Sequence, residues 1–384
     1  MLPCLEPDIL LLYGLREIMS EKRQIVRIKP EALSFIFLPI IAPAFAWLVL
    51  VGALEFGSNS TYKILLAIGL LAGVMAAVHH AEVVAHKVGE PYGTLLLAAA
   101  VTLIEVAIIV SIMIAEGDKA ATLARDTVFA VVMIILNGLV GLCILVGAIR
   151  HREQTFDLDG ISATLTALVA IVVLTLIFPN YTETVAGPHY SLVQLSFVAI
   201  VSLVIYSTFV LLQAVTHRSY FLQPEDVHTD PPTGRAAFLS AMLLILSLLV
   251  VVLISKKLSP SIEKFVRDCG VPQPVVGIII AAIVLLPEGI AAVKAAQRNQ
   301  LQTSLNLALG SALASIGLTI PAVAVVSLYS GLTLTLGIDI KSTVMLMLSM
   351  FIMTIVLKTG RTTVLHGVVL LVIFAVYLFT TIVP

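Results

Sequence analysis

Eleven apolar runs, each near the length that crosses a bilayer, dominate this 384-residue chain and leave little choice of fold. They fall at 34–54, 62–86, 93–115, 127–149, 160–178, 190–215, 236–256, 274–294, 303–328, 341–357 and 363–383, the tenth being the shortest. A helix needs about 20 apolar residues to span the hydrocarbon core. Lipid offers no partner to backbone N–H and C=O groups, so only helices or closed barrels span it. The alternating pattern of a barrel strand is missing, and the expected class is an all-α polytopic membrane protein.

Composition agrees: 59% of the residues are hydrophobic and only 12% charged, with a mean hydropathy of +1.09. A net charge of −1 gives no reason to expect a nucleic-acid partner. Cys4, Cys143 and Cys269 are too few and too scattered for a disulfide framework or a zinc site. No cofactor is expected. The first 30 residues lack the order of a signal peptide, because ILLLYGL (9–15) precedes the basic cluster, and Met19 is a second candidate start.

Lys and Arg set the expected orientation. With the N-terminus inside, inner segments hold 14 of them and outer segments 8, which favours a cytoplasmic N-terminus and an outer C-terminus. The outer group Lys256, Lys257, Lys264 and Arg267 runs against that bias. The domain plan is a cytoplasmic segment 1–33, a supporting helix 34–54, a five-helix unit 55–215, a cytoplasmic linker 216–235 and a second five-helix unit 236–384.

Glu105 and Glu288 each sit near the middle of a spanning run. A charge at the bilayer centre costs at least about 2.5–3.5 kcal/mol on insertion scales, so such residues face a cavity and mark an ion or proton route. Sliding 82–210 onto 263–381 sets Pro91 on Pro274 and Glu105 on Glu288. With one gap, Arg125 falls on Arg298 and NGLVG (137–141) on GSALA (310–314), and later Tyr206 meets Tyr377. Five helices per unit is an odd number, so the second copy enters from the opposite face. Such inverted repeats bring equivalent residues together near the midplane. Pro287 and glycines 138, 141, 310 and 317 would let backbones bend or approach closely. The bland reading of each glutamate is a hydrogen-bonded tie between helices, but neither span holds a Lys or Arg partner.

Other polar side chains are candidates of lower specificity. Thr102 lies one turn before Glu105 on the same face, and Asn137, Ser311 and Ser315 occupy the paired helices. Their hydroxyl and amide oxygens are possible cation ligands, although Ser and Thr in membrane helices commonly bond their own backbone. His79, Glu82 and His86 share a face at the end of the second run, without the HExxH spacing of zinc hydrolases. Interfacial histidines facing headgroups are the plainer reading. Glu82 falls near Glu263 in the repeat comparison, at the other membrane end, which suggests one acidic guard at each mouth, with His86 accessory to the first. The acidic stretch Glu225 to Asp230 in the linker reads as a solvated loop, or as a cation sensor.

Four stretches carry a resemblance: 85–113 (AHKVGEPYGTLLLAAAVTLIEVAIIVSIM), 124–145 (ARDTVFAVVMIILNGLVGLCIL), 285–321 (LLPEGIAAVKAAQRNQLQTSLNLALGSALASIGLTIP) and 359–367 (TGRTTVLHG). Through them the chain resembles the cation/Ca²⁺ exchanger superfamily, most closely bacterial ChaA-type calcium (sodium/potassium)/proton antiporters. The resemblance implies one N-terminal helix plus two inverted five-helix repeats. It implies that the two repeat glutamates, Glu105 and Glu288, coordinate the metal cation and exchange it for protons, and that Glu82 and Glu263 are the accessory acids. One departure stands out. Where calcium exchangers of the superfamily usually carry Gly-Asn-Ala-x-Glu and Gly-Ser-Ser-x-Gln, this chain has Thr102 and Leu285 three before its glutamates, and GSALA later. Ca²⁺ prefers 6–8 oxygen ligands, so Na⁺ and K⁺ stand beside it as candidate cargo.

The expectation is a secondary antiporter of a bacterial cytoplasmic membrane, exporting Ca²⁺ and/or Na⁺/K⁺ against protons by alternating access. A passive cation channel and an intramembrane metal enzyme built on His79, Glu82 and His86 are the rivals. The residues leave the cation, the stoichiometry and the oligomeric state open.

Overall fold

The structure is a computed structural model that describes residues 37–56, 60–89, 92–216, 232–268, 270 and 272–383. The N-terminal segment 1–33 and most of the linker 216–235 lie outside the described residues. A π-turn Phe37–Ile41 leads into α1 (Ala42–Phe56), followed by α2 (Ser60–Val88) and α3 (Tyr92–Glu116). The next span is α4 (Leu123–Met133), a π-turn Ile134–Leu139 and α5 (Val140–His151). Then come β1 (Gln154–Thr155), α6 (Leu158–Val172) and α7 (Leu192–Leu211). The second half holds α8 (Gly234–Asp268), α9 (Pro274–Gln297), α10 (Leu301–Ser330), α11 (Ile340–Lys358), β2 (Arg361–Thr362) and α12 (Val364–Ile382). Among the described residues ten helices are long and apolar enough to cross a membrane, and Pro39–Gly52 adds a shorter apolar helix. The chain is an integral membrane protein.

Each expected span is found, with one substantial difference. The seventh was expected to end at residue 256, yet α8 runs on to Asp268. Lysines 256, 257 and 264 are good helix formers, and Pro260 removes only the bond to the Lys256 carbonyl four residues back. Gly270, in the left-handed region at φ +64°, follows the helix end. The basic cluster placed in an outer loop therefore decorates a helix.

The two halves pack as an exchanged pair. The third span of each half, α4–α5 and α10, is the most enclosed, whereas the fifth, α7 and α12, lies at the periphery. Helix α7 packs on α10 and α12 on α5, while the first helices, α2 and α8, pack on each other. The connections repeat this exchange. At one end β1, between the third and fourth spans of the first half, pairs antiparallel with β2, between the fourth and fifth helices of the second. At the opposite end His189, between the fourth and fifth spans of the first half, bridges Thr335, between the third and fourth of the second. This is the geometry of one N-terminal helix followed by two inverted five-helix repeats.

Glycine permits a close helix crossing in the first turn of α9. A Cβ on Gly277 of α9 would come within 2.7 Å of the Asp126 backbone carbon. Only glycine lets α9 lie this close to α4.

Candidate cation site

Helices α3, α9 and α10 place the site, because their small and apolar faces close-pack around a few polar groups. Glu105 on α3 is only 2% exposed. Ser315 on α10 donates its hydroxyl hydrogen to this carboxylate, with Oγ 2.8 Å from Oε1 and 2.7 Å from Oε2. One turn before it on α10, Ser311 donates to Oε2 of Glu288. Glu288 is half-buried. One helix of the second half thus holds the glutamates of both halves. The two carboxylates lie within electrostatic range of each other. Two like charges in a water-poor region repel strongly unless a proton or a cation accompanies them.

The backbone around Glu288 is adapted to polar work. Pro287 removes the N–H that would bond the Ile283 carbonyl. Beside Ser311, a Cβ built on Gly310 would meet nothing within 4 Å, so α10 borders open space where it reaches Glu288. Glu82 on α2 is exposed and lies within electrostatic range of Glu288. An acidic line thus runs from the end of α2 to the half-buried carboxylate.

The remaining candidates separate. Thr102 is buried on α3 beside Glu105 but makes no hydrogen bond to it among the described residues. Asn137, expected to face the cation with the serines, lies in the π-turn Ile134–Leu139 and is fully buried. Its Nδ2 donates to Ser349 Oγ of α11 at 2.9 Å, and its Oδ1 has no partner. The amide N–H is thereby drawn to α11. His86 is exposed, His79 half-buried, and His80 is buried with Nε2 donating to the Pro39 carbonyl at 3.0 Å. No group of three His, Cys, Asp or Glu side chains among the described residues could hold a metal ion, which removes the geometric basis for His79, Glu82 and His86 as a metal cluster. His79 and His86 stand seven residues, about 10 Å, apart along one helix axis, too far to share one ion. Glu263 lies in α8, but its side chain falls outside the described residues.

Two features escaped the sequence reading. Thr319, one turn beyond Ser315, holds a fully buried hydroxyl within reach of Glu105 without closing a hydrogen bond. The i, i+4, i+8 series Ser311, Ser315, Thr319 on one helical face was the available signal. The second is Arg125, which pairs with Asp126 (Nη2 to Oδ1, 2.8 Å) and donates from Nη1 to the Gly337 carbonyl at 3.0 Å. That ties α4 to the connection before α11, a contact no local pattern announces.

The fold of two exchanged five-helix halves is that of a cation-exchanger class, and the family match places the chain there. The chain belongs to the sodium/calcium exchanger protein family, which matches residues 59–215 and 239–383. It is 35% identical over 375 residues to the sodium-potassium/proton antiporter ChaA of Escherichia coli, covering 94% of this chain and 99% of that protein. A Sinorhizobium fredii chain that carries the name ionic transporter y4hA is 47% identical over 330 residues, covering 85% of this chain and 90% of its own. The fold is shared with YfkE at a TM-score of 0.72 and 18% identity, over 90% of this chain and 99% of that one. It is shared also with the H⁺/Ca²⁺ exchanger CAX at 0.71 and 15%, over 89% and 88%.

Proposed function

We propose that the protein is a secondary antiporter that moves Ca²⁺, Na⁺ or K⁺ out of the cytoplasm in exchange for protons at Glu105 and Glu288. The observation that carries this reading is the pair of hydrogen bonds from Ser311 and Ser315 of α10 to the two carboxylates. Four carboxylate oxygens and two hydroxyls converge near mid-depth, a donor set suited to a hard cation. Similarity over nearly the whole length to a named sodium-potassium/proton antiporter supports the exchange chemistry.

The transport cycle is governed by charge. With protons bound, the carboxyl pair is neutral and the site can be occluded at low cost. A divalent cation needs both carboxylates ionised, so its arrival expels protons, while a monovalent cation needs one. The two repeats, 55–215 and 236–384, rock about the site with 34–54 as a supporting helix, and each side is exposed in turn. Thr102 is an accessory oxygen, and Glu82, Glu263 and His86 flank the entries. The reading requires no resident cofactor and no enzymatic step. The transported ions and the bilayer are the partners, and the protein sits in a bacterial cytoplasmic membrane with its N-terminus in the cytoplasm.

The test is proton flux in inside-out vesicles challenged separately with Ca²⁺, Na⁺ and K⁺. Glu105→Gln and Glu288→Gln each abolish cation-dependent proton movement on this reading, and substantial exchange surviving in either variant sinks it. A passive channel would pass current that an imposed pH gradient fails to reverse, whereas an antiporter reverses.

A further inference from the structure

A cavity of about 340 Å³ lies apart from the carboxylates, between α2, α3, α8 and α9. Its walls are apolar, formed by Ile108 and Ile112 of α3, Ile280 and Ile283 of α9, and Leu258 of α8. Ile64, also on its wall, is 61% exposed. One charged side chain borders the cavity: Lys63, half-buried in the first turn of α2 and paired with no acidic group among the described residues. Lys256 and Lys257, exposed on α8, fall within the Ser255 to Ile262 stretch but border a separate pocket with Leu50, Val51 and Pro260.

Three occupants can be weighed. Water needs two to four polar partners and finds few on these walls. A cation would meet the Lys63 ammonium. An amphiphile with an apolar tail and an anionic head satisfies both the isoleucine walls and the lysine. The volume is at the lower end of the range of small-molecule sites, about 300–1,000 Å³, room for part of one acyl chain. The bilayer itself is the source, because exposed Ile64 and Ala67 on this wall belong to a helix long and apolar enough to span it. A lysine at a helix end commonly snorkels to the interface, but snorkelling alone leaves the apolar cavity beneath it unexplained.

We propose that this cavity is a binding site for an anionic phospholipid, with an acyl chain between α2, α3, α8 and α9 and the phosphate on Lys63. Such a lipid would wedge the glutamate-bearing helices α3 and α9 against the first helices of the two repeats. The binding itself does not depend on which ion the protein carries.

Native mass spectrometry of the full chain, loaded in detergent with equal amounts of phosphatidylglycerol and phosphatidylcholine, tests it. The wild type should retain phosphatidylglycerol about fivefold over phosphatidylcholine, the worth of one lysine toward an anionic headgroup. Lys63→Gln should bring the ratio near unity, and Lys63→Arg should restore it, which separates lost charge from lost folding. Ala67→Phe, which fills the cavity, should lower retention of both lipids. An even ratio in the wild type, a preference unchanged in Lys63→Gln, or lipid retention unchanged in Ala67→Phe overturns the proposal. Because the readout is bound mass, it stands or falls independently of any result on ion flux.

Discussion

The two halves supply one glutamate each, yet they hold them differently. Glu105 of the first half is sealed at 2% exposure and receives Ser315 from the opposite half. Glu288 of the second half is half-buried, beside Pro287, and receives Ser311 from the next helix of its own half. The third spans explain the difference. In the second half α10 is unbroken helix across the site, and its serines stand one turn apart on one face. In the first half the matching stretch opens into a π-turn, and its polar residue, Asn137, donates to Ser349 of α11. The extra residue in a π-turn rotates the helix beyond it, and such turns gather at functional sites. A two-fold plan of backbone thus carries a one-sided plan of side chains, with α10 serving both carboxylates.

This asymmetry can be broken in steps. The largest effect should come from the serines. Ser315→Ala removes a hydrogen bond to a charged group in a sealed site, worth about 1.5–3 kcal/mol. The cation concentration for half-maximal exchange should then rise about ten- to hundredfold by the same energies. Ser311→Ala should shift it less, because water can replace the hydroxyl at half-buried Glu288; equal shifts in vesicle flux would erase the distinction between the halves.

Next comes accessibility. A water-soluble carbodiimide should modify Glu288 before Glu105, and peptide mapping over time reads the order. Reaction at Glu105 first would mean that the sealed and open carboxylates have been assigned the wrong way round.

Asn137→Ala probes the first half's departure. It should lower thermal stability by about 1 kcal/mol, the ordinary net worth of a hydrogen bond, while leaving the half-saturating cation concentration unchanged. A large shift in that concentration with unaltered stability would make Asn137 a ligand after all. The smallest effect is expected from Glu82→Gln. Glu82 is exposed, and salt screens an exposed charge acting over a distance. Its contribution should fade as ionic strength rises, and flux measured at low and high salt checks this.

Much of the architecture was legible in the residues. Helical spans arise from uninterrupted apolar runs because lipid forbids an unsatisfied backbone, and the register of the repeat shows in Glu105 and Glu288. Ser311 and Ser315 were nameable from their place on the span after Glu288. Less legible was the end of α8, since lysines that mark a loop by charge are also good helix formers. The turn of Asn137 toward α11 lay beyond the sequence altogether. So did the Arg125 tie to Gly337, which joins residues far apart in the chain.

The sequence by itself determined a polytopic helical membrane protein, its inverted halves and the place of Glu105 and Glu288 within apolar spanning runs. Each of these is a property of composition and spacing set against a solvent that penalises exposed polar groups. Only the tertiary structure decided that α10 serves both acids, that Glu105 is sealed while Glu288 is half-open, and that a lysine-edged cavity lies beside α3 and α9. Those outcomes depend on which helix faces which. Lipid is indifferent to that choice, and close packing of side chains between helices makes it.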